Sequence, residues 1–203
     1  MTDNLRSKVI RLAHQKPELR AALLPLIKTA EDGENIPGVH ILGRAKVTED
    51  ARVFSGGKAY GNAQVYGVAD IFNGGEVFGK AKVSGEAAVK DNSKVYGNAE
   101  VYGQADVYGN AQVFGNAQVF GNALVFGNAK VSGDAKVFGN ARVAGNAEVS
   151  GDAKVFGSAE VFGGAMVFGS ANISGTAVIL GGKWDGREGP ITEGKWKAPG
   201  VPA

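Results

Sequence analysis

Two histidines, His14 and His40, and no cysteine are the whole supply of near-neutral acid–base and soft-metal chemistry in this 203-residue chain. A thiolate nucleophile, a disulfide framework and a cysteine metal site are therefore excluded. His14 falls in a stretch with helical periodicity and is expected on a helix surface. His40 stands one residue before a long run of repeats and is expected in an entering strand. No Ser-His-Asp spacing occurs, and no phosphate-cradling Gly-rich loop precedes a helix. These residue types at these spacings build no catalytic constellation, so no enzyme activity, cofactor or metal is expected.

The side chains that do recur at fixed spacing are aromatic. All ten Phe and all five Tyr stand at one phase of a six-residue period. Taken eighteen residues apart, they fall into three rows. The first holds Tyr60, Phe78, Tyr96 and Phe114, with Phe168 further along; the second holds Tyr66, Tyr102, Phe120, Phe138 and Phe156. The third holds Phe54, Phe72, Tyr108, Phe126 and Phe162. Rings repeating at strand spacing can stack on one another as structural ladders. An outward apolar surface of this size equally suits docking on another protein, self-association as a homotrimer, or a glycan. Ice binding needs regular threonine arrays, and Thr48 and Thr176 are the only threonines in the repeats.

The element that must position these rings is a hexapeptide. Twenty-four units run without insertion from Ile41 to Gly182, the last, from Ile179, incomplete, and each opens on an aliphatic residue except at Ala59, as in Val113-Phe114-Gly115-Asn116-Ala117-Gln118. Counting the anchor as position 1, alternation along a strand sends positions 5 and 1 inward and positions 6 and 2 outward. Gly at position 3, with Asn, Gly or Asp at position 4, supplies a corner. One unit cannot bury its own apolar face and must stack on neighbours, so the fold class is an all-β solenoid. Three sides make an 18-residue coil, and the hexads predict about eight coils, roughly 38 Å long at about 4.8 Å per strand.

The Val-x-Gly-Asn-Ala-x runs resemble the hexapeptide repeats of left-handed parallel β-helix proteins, known from bacterial acyltransferases, over about 70% of the chain. Left-handedness follows from that resemblance. Acyltransferases of this kind use a histidine base at a subunit boundary and loops extruded from the coils. Here neither histidine lies within the hexads and no loop leaves the register. Zinc-dependent β-helix enzymes need three histidine ligands, which two residues do not supply. Position 2 departs from the acyltransferase pattern in being aromatic. CoA-dependent acyl transfer is thus the runner-up to a structural or interaction role.

Residues 1–36 read as a helical cap or docking segment. Leu5, Val9 and Leu12 share one helix face, Leu19, Leu23 and Leu24 belong to a second helix, and Pro25 ends or bends it. The segment resembles short Leu-Pro-rich leaders of phage-type structural proteins. A linker by composition, Glu31 to Gly38, joins it to residues 37–182, the β-helix. The tail, 183–203, carries Trp184 and Trp196 as candidate anchors that wrap the last coil or reach a neighbour. Ile191 keeps the six-residue phase there, and Trp196 falls at position 6. One corner differs from Gly-Asn-Ala: Ser55, Asn73 and Asp91 recur eighteen residues apart, as either a turn variant over a narrower interior or a ligand edge.

Position 6 alternates in sign, with Lys58, Glu76 and Lys94 stacked on one face, Lys130 and Glu148 continuing it, and Arg142 and Glu160 paired on another. The repeats hold twelve basic and twelve acidic residues, so no basic stripe for nucleic acid is expected. No apolar stretch reaches the roughly 20 residues of a membrane span, and no secretion signal is visible. A soluble protein, cytoplasmic or virion-associated, is expected, acting by rigid docking in or on a larger assembly.

Overall fold

The computed structural model describes residues 40–48 and 50–198, and the backbone of 201–202. The segment expected to be helical, with Leu5, Val9, Leu12, Leu19, Leu23 and Leu24, as well as His14, lies outside the described residues. Among those described there is no helix. Instead the chain winds through short parallel strands, almost all of two residues, that fall into three sheets of nine, eight and ten strands. Each strand joins position 6 of one hexad to the anchor of the next, as in Gln112–Val113 and Gln118–Val119. Pairing runs eighteen residues apart, Val95 beside Val113 and Val113 beside Val131.

The physical reason is visible in burial. From Val65 to Val167 every aliphatic anchor is fully buried, and the Ala residues at position 5 beside them are buried too. Ala59 is equally inaccessible, so the one small anchor keeps its place in the core. Positions 2, 4 and 6 donate their amides to the next coil, as Phe114 N to Val131 O at 2.9 Å, Asn116 N to Gly133 O at 2.8 Å and Gln118 N to Ala135 O at 2.9 Å. Backbone hydrogen bonds therefore continue through the corners as well as along the strands, which leaves few polar groups unpaired. Glycine at position 3 is required twice over. Gly133 has φ +66°, and a Cβ there would sit 2.8 Å from Gly151 N.

The hexads supply eight coils and the tail adds a ninth. Its winding is shorter: Val167 pairs with Trp184 and Ile179 with Trp196, each seventeen residues on, while Ile173 bridges Ile191 at eighteen. Ile191 thus keeps its phase. Trp196 does not stand at position 6; it lies beside an anchor, Ile179, because each of those steps loses one residue. Trp184 is 1% exposed and occupies an anchor site at the end of the core, with Trp196 edge-on to it at 6.3 Å and 76°. The two Gly-Lys-Trp segments share a local geometry. Trp184 Nε1 donates to Gly181 O at 2.7 Å and Trp196 Nε1 to Glu193 O at 2.9 Å. Val201–Pro202 then pairs antiparallel with Lys195–Ala198 and ends the third sheet.

Candidate functional site

Because the interior is filled by Val and Ala, any site lies on the outer faces, and three kinds of column run up them. The aromatic columns come first. In the first row Tyr60, Phe78, Tyr96 and Phe114 stack at 4.8–5.0 Å with planes within 5°. In the second, Tyr102, Phe120, Phe138 and Phe156 stack at 4.8 Å. The third contains two stacked pairs, Phe54 on Phe72 and Tyr108 on Phe126. Neighbouring faces cover each other, so the rings are half-buried, and the ladder reading accounts for their packing. Tyr66 is the exception at 40% exposed; Thr48 and Ser84 stand where its two ring neighbours would be.

Breaks in the third row are closed by cations, a feature the sequence reading did not contain. Lys90 replaces a ring, and its Nζ lies 5.9 Å from the Phe72 centroid and 5.2 Å from that of Tyr108 while pairing with Asp106 at 2.8 Å. At the next break Ala144 replaces a ring, and Arg142 folds over it, 5.7 Å from Phe126 and 5.8 Å from Phe162. Ala144 is 3% exposed beneath that guanidinium. Each such contact contributes about 0.5–2 kcal/mol. A row of aromatics interrupted by Lys, or by Ala with Arg two residues before it, is the signal that could have revealed this.

The charge columns follow the expected alternation. Glu76 is held by Lys58 at 2.9 Å and Lys94 at 3.7 Å, and Tyr60 donates its hydroxyl to the same carboxylate at 3.3 Å. Lys130 pairs with Glu148 and Arg142 with Glu160, both at 3.2 Å, and Arg52 Nε donates to Asp70 at 2.7 Å. Burial pushes the Glu76 carboxyl up, but the Lys58 hydrogen bond and charge, with help from Lys94 and Tyr60, bring it below its ordinary value. Burial, then the nearby Glu100 carboxylate, raises the Tyr102 hydroxyl. The alternation fails at one place: Lys136 and Lys154 are direct neighbours, and neither makes an ion pair among the described residues. They line a shallow groove with Asp134, Asp152 and Asn172, whose Oδ1 is buried without a hydrogen-bond partner.

Amide columns run up the corners. Asn98 donates to Asn116 at 3.0 Å and Asn116 to Asp134 at 2.9 Å; Asn110, Asn128 and Asn146 form a second column. At the variant corner Ser55, Asn73 and Asp91 adopt φ of 47°, 48° and 59°, a conformation Asn and Asp tolerate better than most. A Cβ on Gly57 or Gly75 would collide with the carbonyl of Ile71 or Val89. Ser93 fills the third such position with its hydroxyl shared between the carbonyls of Lys90 and Val107. Asp91 accepts from Gly109 N at 3.4 Å. The positive-φ turn and the carbonyls crowding Gly57 and Gly75 account for this corner as a turn variant.

His40 opens the first described strand, His40–Gly43, and no group of three or more His, Asp or Glu that could hold a metal occurs among the described residues. No helix of the described residues is long and apolar enough to cross a membrane. Residues 117–135, one full coil with its closing alanine, match the family model described as the YdcK beta solenoid repeat. No curated protein and no solved structure matches the chain. The repeat match and the eighteen-residue winding agree: this is a β-solenoid repeat protein.

Proposed function

We propose that this protein is a non-enzymatic structural or interaction module, a rigid prism that docks into or decorates a larger assembly such as a virion. The observation that carries the reading is the unbroken register from Ile41 to Gly182. Most outer residues belong to columns of rings, amides or charges, which supports a stiff spacer of fixed length with regular faces. Chemistry on a solenoid is ordinarily hosted by loops that leave the coils.

Residues 1–36 are the docking element in this reading. Mass photometry over a concentration series, on the full chain and on a chain lacking 1–36, tests it. The shortened prism is expected to stay soluble and to fail to join its assembly. Filaments or aggregates of the shortened chain would instead make the segment a cap on the first coil. A parallel assay with a panel of CoA thioesters is expected to stay at background, and turnover abolished by His40→Ala would overturn the non-enzymatic reading.

A further inference from the structure

The second aromatic row has a vacant rung at Ser84, and the third row shows what such a vacancy accepts. Tyr66 and Tyr102 are two coils apart, so their rings stand about 9.6 Å from one another, twice the strand spacing. No ring stands between them in the row, no cation lies over the Tyr66 or Tyr102 ring among the contacts of the described residues, and Ser84 at the floor remains half-exposed; the Lys82 ammonium acts on Tyr66 electrostatically. The corresponding single-rung gaps in the third row hold Lys90, at 5.9 and 5.2 Å from its two rings, and Arg142, at 5.7 and 5.8 Å. The span at Ser84 has the same size.

Its nearest internal cation is otherwise engaged. Lys82 precedes Ser84 by two residues, as Arg142 precedes Ala144, yet its ammonium is bound to Glu100 at 2.9 Å rather than over the rings. Arg142 pairs with Glu160 and stacks at once because a planar guanidinium offers both an edge and a face. Lys90 does both as an ammonium because it stands at the rung itself, whereas Lys82, like Arg142, starts two residues back and would need the longer, flat guanidinium to reach over the rings. Two carboxylates border the opening: Glu100, and Glu86 at the adjacent corner, which accepts from Gln104 at 2.8 Å.

We propose that the gap between Tyr66 and Tyr102 is a binding slot for an arginine side chain of a partner protein, its guanidinium inserted as the missing rung. The inference rests on the interaction-module reading and specifies one contact through which it would act. Arginine is favoured over a neutral ring because the equivalent gaps in this same chain are closed by cations, and because carboxylates line the rim.

The test is a titration of the full chain, with labelled tyrosines, by N-acetylarginine methylamide, followed by NMR of the ring resonances. Saturable shifts are expected at Tyr66 and Tyr102 and absent at Tyr60 and Tyr96. The uncharged citrulline analogue should need at least about tenfold higher concentration, since only the ionic and cation–π parts differ. Ser84→Phe restores a ring and Lys82→Arg supplies an internal guanidinium; both should retain the fold and abolish the shifts. An equal response to citrulline, shifts that survive Ser84→Phe, or no response in the unaltered chain would each overturn the slot. The assembly test with residues 1–36 is independent of all three outcomes, so the slot can fail while the module reading stands.

Discussion

Glu76 shows how much one charged residue can hold in a column. It accepts from Lys58 on the coil below and faces Lys94 on the coil above, with the Tyr60 hydroxyl as a third partner. Burial opposes its ionisation, but these partners outweigh burial and its folded value lies below the unfolded one. The sign then follows. The stabilisation is complete above the unfolded carboxyl range, about pH 4.5, and is lost as pH falls through the folded value. Glu76→Gln is expected to cost roughly 0.5–1 kcal/mol at neutral pH, the upper range for a surface pair. The gap to the unaltered protein should narrow between neutral pH and a pH below the folded value, where the carboxyl is protonated in both states. Thermal unfolding at both pH values checks this, and a difference unchanged by acid would assign the effect to packing.

At this scale the residues were legible wherever the period alone decides their direction. Val, Ala and the alternating charges went where a strand must send them. Lys136 and Lys154 were missed because their lack of a counterion depends on which neighbours reach them. Arg142 was placed correctly beside Glu160, but its second role over Ala144 depends on a side-chain path across two coils. Six-residue bookkeeping contains no such path.

The aromatic ladder is the element that ties outer face to core. Phe120 is sandwiched between Tyr102 and Phe138, each 4.8 Å away with planes within 1°. Replacing it with Ser removes both stacks and opens a second vacancy, separated from the one at Ser84 by Tyr102. Loss of two ring contacts at about 0.5–1.5 kcal/mol each predicts destabilisation of about 1–3 kcal/mol. Denaturant unfolding followed by circular dichroism would read it. Sedimentation of Phe120→Ser is expected to match the unaltered chain, since the ring faces are already covered from above and below. A shift to smaller species at unchanged stability would mark the row as an interface between copies. The rows themselves were readable as an eighteen-residue spacing. Their closure by cations was not, because a Lys or Ala at position 2 looks in sequence like a simple interruption.

For the whole molecule, eight of the nine coils followed from the hexads, but the last coil and the end of the prism did not. The tail abandons the period: its inward residues Trp184, Ile191 and Trp196 come at unequal steps. Large indoles compensate for the lost regularity by covering more of the terminal core than Val would. A solenoid that stopped at Gly182 would present Val167, Ile173 and Ile179 beneath the open edges of three parallel sheets, a template for another chain. In the intact protein Lys183–Trp184, Ile191 and Lys195–Ala198 occupy those edges, and the antiparallel Val201–Pro202 closes one with a residue that has no amide to donate. Deleting 183–203 is therefore expected to produce concentration-dependent end-to-end association, seen as growing species in sedimentation and as filaments by electron microscopy. Trp184→Ala separates edge cover from core filling. It should cost about 3–5 kcal/mol, as for other buried large-to-small changes, yet leave the strand pairing in place and the protein unpolymerised. A deleted chain that stays monodisperse at every concentration would show that the tail serves packing alone.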